Sequence, residues 1–174
     1  DPTASATASV KRRRSTVVIE PPEGWQLYYP PERVVGPITR VIRFAHPGDE
    51  EEGIAVTVFD PDDEEADVVA YMNEWVVREG ARRYPDVEFL GSRYLGEELA
   101  AGASFTRKTD KGVSHACQWW RVLRDDGRWN FELRSAPDAS VISPELIAAL
   151  DTVTWVDVPP SFRCSPALSS DINC

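Results

Sequence analysis

The clearest structural signal in the chain lies in residues 114–135, which read SHACQWWRVLRDDGRWNFELRS. Two runs rich in aromatic and apolar residues flank Asp126-Gly127, and Asp-Gly between two such runs predicts a β-hairpin with a two-residue turn. Three cross-strand pairs follow from that turn: Val122 with Phe131, Trp120 with Leu133, and Arg121 with Glu132. Apolar residues then meet on one face and opposite charges meet on the other, so the register is self-consistent.

The second face of this hairpin is not fully polar, because Cys117, Trp119 and Leu123 all lie on it. Such a face has to be covered, either by another helix or by a partner. Most of the six tryptophans fall at positions predicted to face the core. Trp119 is the exception, and we therefore select it as a candidate contact residue for a partner.

Outside the hairpin, the apolar pattern predicts further strands and two helices. The strands are predicted at residues 16–20, 27–29, 38–45, 54–59, 87–95, 101–108 and 152–158, with a turn and an acidic loop at residues 46–52. The longer helix is predicted from Val68 to Glu79, after acidic residues that suit the first turn of a helix. A short helix is predicted to follow Ser143-Pro144. Local hairpins without regular βαβ alternation indicate an α+β fold with a central antiparallel sheet.

The length of 174 residues is typical of one domain, which we assign to residues 16–158, between an N-terminal arm (1–15) and a C-terminal tail (159–174). The net charge is −10, and residues 1–14 carry four basic side chains against Asp1, which leaves −13 on the rest. A body this acidic repels nucleic acid, which we exclude as a partner. The arm's basic side chains could contact an acidic partner or lipid headgroups, or could simply be solvated. They are Lys11, Arg12, Arg13 and Arg14.

The cysteines and the first residue bear on the compartment. Cys164 and Cys174 both lie in the Ser/Pro-rich tail and could close a small loop, whereas Cys117 lies in a predicted strand. A disulfide in the tail would fit an exported or lumenal location. The chain starts at Asp1 rather than Met, as expected after removal of a targeting segment. The apolar runs are far shorter than the ~20 residues of a membrane span, so we expect no transmembrane segment.

No motif in the chain predicts catalysis or a cofactor. Two histidines without a Cys-x-x-Cys pair cannot assemble an ordinary zinc site locally, so we expect no metal. His115 and Cys117 share one face of a strand, which leaves a thiolate–imidazole enzyme as an alternative. Nothing in the sequence points to a third, orienting group or to an oxyanion hole. We therefore predict that the chain is not an enzyme.

In the order of its features, the chain resembles the PsbP family, the lumenal extrinsic proteins of photosystem II and their relatives. The resemblance spans about residues 16–158 and is structural rather than catalytic. The segments that carry it are Pro22-Glu23-Gly24-Trp25, Val41-Ile42-Arg43-Phe44, Ala55-Val56-Thr57-Val58, the helix from Val68 to Glu79, the strand from His115 to Val122, the turn Asp126-Gly127-Arg128-Trp129, and Leu146 to Trp155.

The resemblance implies an antiparallel sheet with helices on both faces and a non-enzymatic accessory subunit. PsbP-like proteins dock on protein subunits at the lumenal side of photosynthetic membrane complexes, which implies the thylakoid lumen and peripheral membrane association. The residues Lys11 to Arg14 lie where the family has a basic docking segment. The tail and its two cysteines depart from the family pattern.

Exported bacterial lipoproteins and a nuclear Ran-binding factor share this sandwich. The alternative is therefore an exported domain of the bacterial cell envelope that binds a small apolar ligand or a protein partner.

Overall fold

The computed structural model describes residues 15–28, 34–35, 38–59 and 67–157, and within them ten strands form two antiparallel sheets. The strands are β1 (Ser15–Val18), β2 (Gln26–Tyr28), β3 (Val34–Val35), β4 (Ile38–His46), β5 (Asp49–Phe59), β6 (Glu88–Leu95), β7 (Glu98–Lys108), β8 (Ser114–Arg124), β9 (Gly127–Arg134) and β10 (Thr154–Asp157). The large sheet has the order β2-β4-β5-β9-β8-β7-β6, with β3 also paired to β4, and β1 pairs with β10 in a small sheet. The candidate arm residues Lys11 to Arg14 and the cysteines Cys164 and Cys174 lie outside the described residues.

The longer helix forms close to its predicted place but is not uniform. Helix α1 (Val68–Trp75) widens into a π-helical turn at Val76–Gly80 and ends as the short helix α2 (Ala81–Arg83). The side chain of Asp67 caps α1 by accepting a hydrogen bond from the backbone N–H of Ala70 at 2.9 Å. The second helix, α3 (Pro144–Ala149), leads into a 3-10 turn at residues 150–152.

The two faces of the large sheet are covered by different helices. On one face α3 and the small sheet enclose the main core, whose large buried side chains include Phe44, Ile54, Leu95, Trp120, Trp129, Phe131, Leu133, Leu146 and Leu150. On the other face α1 contacts β6, β7 and β8. There Val68 and Met72 pack against Ala101 and Ala103 of β7. These contacts confirm the predicted α+β fold with helices on both faces of an antiparallel sheet.

The hairpin of β8 and β9 forms as predicted, but the predicted register is wrong by two residues. Arg124 pairs with Gly127, so Asp125-Asp126 is the turn. The observed pairs are Val122 with Trp129, Trp120 with Phe131, and Arg121 with Asn130, and Glu132 lies opposite Trp119. Because the shift is even, every side chain keeps its predicted face.

A close approach of neighbouring strands explains the shifted register. A Cβ on Gly127 would lie 2.5 Å from Cγ2 of Val58 and 2.8 Å from the carbonyl oxygen of Phe59, so the strand position beside β5 accepts only glycine. Asp126 takes the turn position instead, where its carboxylate is buried against Ser15. The prediction of an acidic loop at residues 49–52 is also wrong, because β5 already begins at Asp49.

Candidate functional site

A pocket of about 270 Å³ lies on the α1 face of the sheet, over strands β4, β5 and β9. Strand β5 supplies a floor of small residues, because Gly53, Ala55 and Thr57 alternate along this face. Longer charged side chains from β4, β5, β7 and β9 form the walls. We call this site the arginine pocket, and its polar wall residues are Arg43, Glu51, Arg107, Glu132 and Arg134.

Ion pairs organise the walls of the arginine pocket. Glu132 Oε1 accepts hydrogen bonds from Arg107 Nη1 at 2.9 Å and from Arg134 Nη2 at 3.1 Å. The other terminal nitrogen of Arg134, Nη1, donates to Glu51 Oε2. The side chain of Glu132 is 19% exposed, whereas that of Glu51 is 54% exposed. Arg134 therefore joins a largely buried carboxylate to one that faces solvent.

The charge of Arg134 is fixed by these neighbours. Burial by itself lowers the pKa of Arg134, but the carboxylates of Glu132 and Glu51 and the hydrogen bond to Glu132 raise it by more, so the net shift is upward. A guanidinium is planar and can hold a carboxylate through two parallel N–H donors. In this protein each terminal nitrogen of Arg134 bonds to a different carboxylate, so an incoming carboxylate could replace Glu51 at Nη1 while Glu132 stays bound to Nη2.

His115 and Cys117 do lie on one strand, but their polar atoms are engaged with other groups. His115 Nδ1 lies 3.0 Å from the carbonyl oxygen of Ser135, and the thiol of Cys117 points to the carbonyl oxygen of His115 at 3.7 Å. Burial, followed by the nearby charge of Glu132, raises the pKa of Cys117 to about 11. A nucleophilic cysteine needs the opposite shift, because only the thiolate attacks.

The raised thiol pKa predicts slow alkylation of Cys117. At neutral pH a rise from 9.0 to about 11 lowers the thiolate fraction about 100-fold, and burial slows the reaction further. Iodoacetamide labelling of a C164S/C174S variant, followed by mass spectrometry, measures this rate against a free thiol peptide. Labelling as fast as that of the peptide would contradict the geometry described here.

The same pKa predicts that Cys117 weakens the fold at high pH. Because the thiol pKa is higher in the folded than in the unfolded chain, its contribution is complete below about pH 9 and is lost as the pH rises to about 11. The loss amounts to roughly 2–3 kcal/mol. It is measured as the difference in denaturant unfolding between the wild type and Cys117→Ala across this pH range. An unchanged difference would mean that the thiol is not protected from solvent.

Trp119 lies beneath the end of the long helix, in a cluster of aromatic rings. Its ring centroid is 4.9 Å from those of Trp75 and Phe105, and 6.5 Å from that of Tyr84. The sequence predicted that either a helix or a partner covers this face, and over Trp119 the structure shows the helix. Trp119 Nε1 is buried without a hydrogen-bond acceptor among the described residues. The role of Trp119 as a partner contact stays a prediction.

The described ranges contain neither a cluster of metal ligands nor a membrane-spanning helix. Within them, no three or more histidine, cysteine or acidic side chains come together as metal ligands would. The same residues include no helix that is both long and apolar enough to span a bilayer.

Sequence reasoning did not find the arginine pocket. A signal was present in β5, where Gly53, Ala55 and Thr57 recur at every second position between larger residues. A run of small residues on one face of a central strand leaves room between the side chains of its neighbours. The identity of those neighbours could not be read from the sequence, because β9 is distant along the chain.

Several solved structures are similar to this chain, whereas the comparisons with family models, that of the PsbP family included, and with curated proteins found no match. Among solved structures, the chain is similar to the crystal structure of LpqN, a protein involved in cell envelope biogenesis of Mycobacterium tuberculosis. The two share 16% sequence identity with a TM-score of 0.48, and the match covers 83% of this chain and 84% of LpqN. A similarity this low shows nothing about the function of this chain.

Proposed function

We propose that this chain is a non-catalytic binding domain that recognises carboxylate side chains of a protein partner at the arginine pocket. The observation that carries the proposal is the position of Arg134 between Glu132 and the more exposed Glu51. Glu51 occupies the place that a partner's carboxylate would take. Arg107 supports the same site by holding Glu132 in place from β7, on the far side of β8.

The walls of the pocket favour a protein partner over the small apolar ligand considered from the sequence. Charged groups of three arginines and two glutamates surround a volume of about 270 Å³, and burying an apolar molecule there would strip water from them. That volume is enough for one or two acidic side chains. Recognition by exchange of one carboxylate for another keeps both terminal nitrogens of Arg134 paired, because the ligand takes the hydrogen bond that Glu51 gives up.

The exported bacterial envelope is the setting that we propose for this domain. The photosynthetic setting rests on the resemblance to the PsbP family, and no family model adds support to it. The precursor distinguishes the two settings, since a lipid-attachment cysteine before Asp1 fits the envelope and a bipartite transit sequence fits the thylakoid lumen.

The affinity for an acidic peptide tests the arginine pocket. We expect acetyl-tetraglutamyl-amide to bind the wild-type chain in isothermal titration calorimetry, and Arg134→Gln to lower the affinity at least 10-fold. Arg134→Lys, which keeps the charge but loses the planar fork, should lower it several-fold. Glu51→Gln should raise the affinity several-fold, because it removes the internal competitor.

The exposed ion pair of Arg78 with Glu74 on the long helix provides matched controls. Arg78→Gln and Glu74→Gln change the net charge of the protein as the pocket variants do, and neither should change the affinity by more than about 2-fold. Circular dichroism of each variant checks that the fold is kept. If Glu51→Gln and Glu74→Gln raised the affinity for the acidic peptide equally, the binding would reflect net charge alone, and the proposal would be wrong.

A further inference from the structure

A second depression, of about 490 Å³, lies beside the C-terminal half of strand β7, next to helix α3. Strand β6 begins its pairing with β7 at Glu88, opposite Ser104, while β7 continues to Lys108. The stretch of β7 beyond β6 is therefore not covered by that strand. The segment at residues 140–142 and Ile147 of α3 form the opposite wall. We call this depression the acidic groove.

The wall of the acidic groove exposes large apolar side chains. Val141 is 71% exposed and Leu90 is 38% exposed, and both lie next to the buried Ile142 and the partly buried Ile147. A single exposed apolar residue is ordinary, but several around one groove are typical of a contact surface. A partner that covers them would gain the free energy of removing this area from water.

The charged side chains that line the groove, Asp86 and Glu88, are both acidic. Oδ1 of Asp86 accepts a hydrogen bond from the backbone N–H of Thr106 at 3.1 Å, where a neighbouring strand would otherwise bond. This bond holds the carboxylate at the rim of the groove. Gln118 on the floor is likewise held, because its Oε1 accepts from Nε1 of Trp120 at 3.0 Å. The groove thus combines an apolar wall with a fixed negative rim.

We propose that the acidic groove binds an extended segment of a partner protein in which an apolar side chain is followed by lysine or arginine. The apolar side chain packs against Leu90 and Val141, and the cation lies at Asp86 and Glu88. Charge complementarity decides the occupant. A second copy of this chain would bring two acidic rims together on bodies that are already strongly negative, and this repulsion disfavours it.

The proposal concerns a different surface from the arginine pocket and is tested separately. The probe is the fluorescent peptide Ser-Ile-Leu-Arg-Lys-Ser, measured by fluorescence anisotropy against the full chain. We expect saturable binding that Val141→Asp weakens at least 10-fold and Glu88→Gln at least 3-fold. The same peptide with glutamines in place of arginine and lysine carries no charge for either site and should not bind at 1 mM protein, and Arg134→Gln should leave the binding of the original peptide unchanged.

Matched controls are Val77→Asp, on an equally exposed valine of the π-helical turn, and Glu97→Gln, at the tip of the β6–β7 turn. Neither should change the affinity more than 2-fold. Absence of binding at 1 mM protein, or equal losses with Val141→Asp and Val77→Asp, would overturn the proposal.

The chain's own Phe162-Arg163 has the proposed pattern. If a Phe162→Ser/Arg163→Ser variant bound the peptide more tightly, the chain's own tail would be the occupant of the groove, because its removal frees the site. If sedimentation showed a dimer, the occupant would be a second copy of the chain. Either result would overturn the proposal.

Discussion

Replacing Asp126 with alanine is expected to lower the free energy of unfolding by about 3–5 kcal/mol. The Asp126 side chain is 1% exposed and joins three parts of the fold. Oδ2 accepts from the backbone N–H of Ser15 at 2.9 Å and from the Ser15 hydroxyl at 2.6 Å, and Oδ1 accepts from Trp129 Nε1 at 3.2 Å. Arg124 Nε lies 3.6 Å from the same carboxylate. Alanine would leave these donors buried without their acceptor, which costs more than the bonds themselves contribute.

Chemical denaturation monitored by tryptophan fluorescence measures this loss. Asp110→Ala, in the exposed turn after β7, is the matched control and should change the free energy of unfolding by less than about 0.5 kcal/mol. The loss of unfolding free energy in Asp126→Asn should lie between those of Asp126→Ala and Asp110→Ala. An amide has only one acceptor oxygen, whereas the present donors use both carboxylate oxygens. A cost below 1 kcal/mol for Asp126→Ala would show that the small sheet is not anchored through this side chain.

Truncating Trp129 to alanine is expected to lower the free energy of unfolding by about 3–5 kcal/mol. Trp129 is fully buried at the centre of the main core, and its ring meets that of Trp155 edge to face at 5.0 Å between centroids. Alanine would leave a cavity between the large sheet and β10. It would also remove one of the donors that hold Asp126.

The phenylalanine variant separates packing from hydrogen bonding at this position. Trp129→Phe keeps most of the ring volume and loses the N–H donor, so its cost should be about 1–2 kcal/mol. Thermal and urea unfolding of the two variants give the comparison. If both variants lost the same free energy of unfolding, the hydrogen bond to Asp126 would account for the contribution of Trp129. The packing of its ring in the main core would then contribute little, contrary to the structure.

The periodic patterns of the chain predicted most elements, because period-2 and period-3.6 patterns are local properties. Strands such as β7 and β8 and the long helix lie within a few residues of their predicted bounds. The hairpin register failed because it depends on contacts that are remote in sequence. Asp126 bonds to Ser15, which precedes it by 111 residues, and Gly127 faces β5. A turn rule based on Asp-Gly alone has no access to either contact.

The candidate site was less predictable than the fold, for the same reason. The arginine pocket needs Ala55 of β5 beside Glu132 of β9, and this neighbour relation follows from sheet order rather than from local sequence. Trp119 was predicted to lie on a face covered by a helix or by a partner. Which of the two covers it depends on where the long helix packs, and no periodicity specifies that. The helix lies over β6, β7 and β8 and leaves the pocket side of the face beyond its reach.

Chemical-shift mapping of the acidic peptide tests most directly the claim that this chain acts by binding at the arginine pocket. Two-dimensional nitrogen–proton spectra would be recorded while acetyl-tetraglutamyl-amide is added to the labelled wild-type chain. We expect shifts concentrated at Arg43, Thr57, Glu132 and Arg134, with the side-chain signal of Arg134 moving furthest, and we expect these shifts to be lost in Arg134→Gln. Shifts spread over the exposed arginines of the long helix, with the pocket signals unmoved, would contradict it.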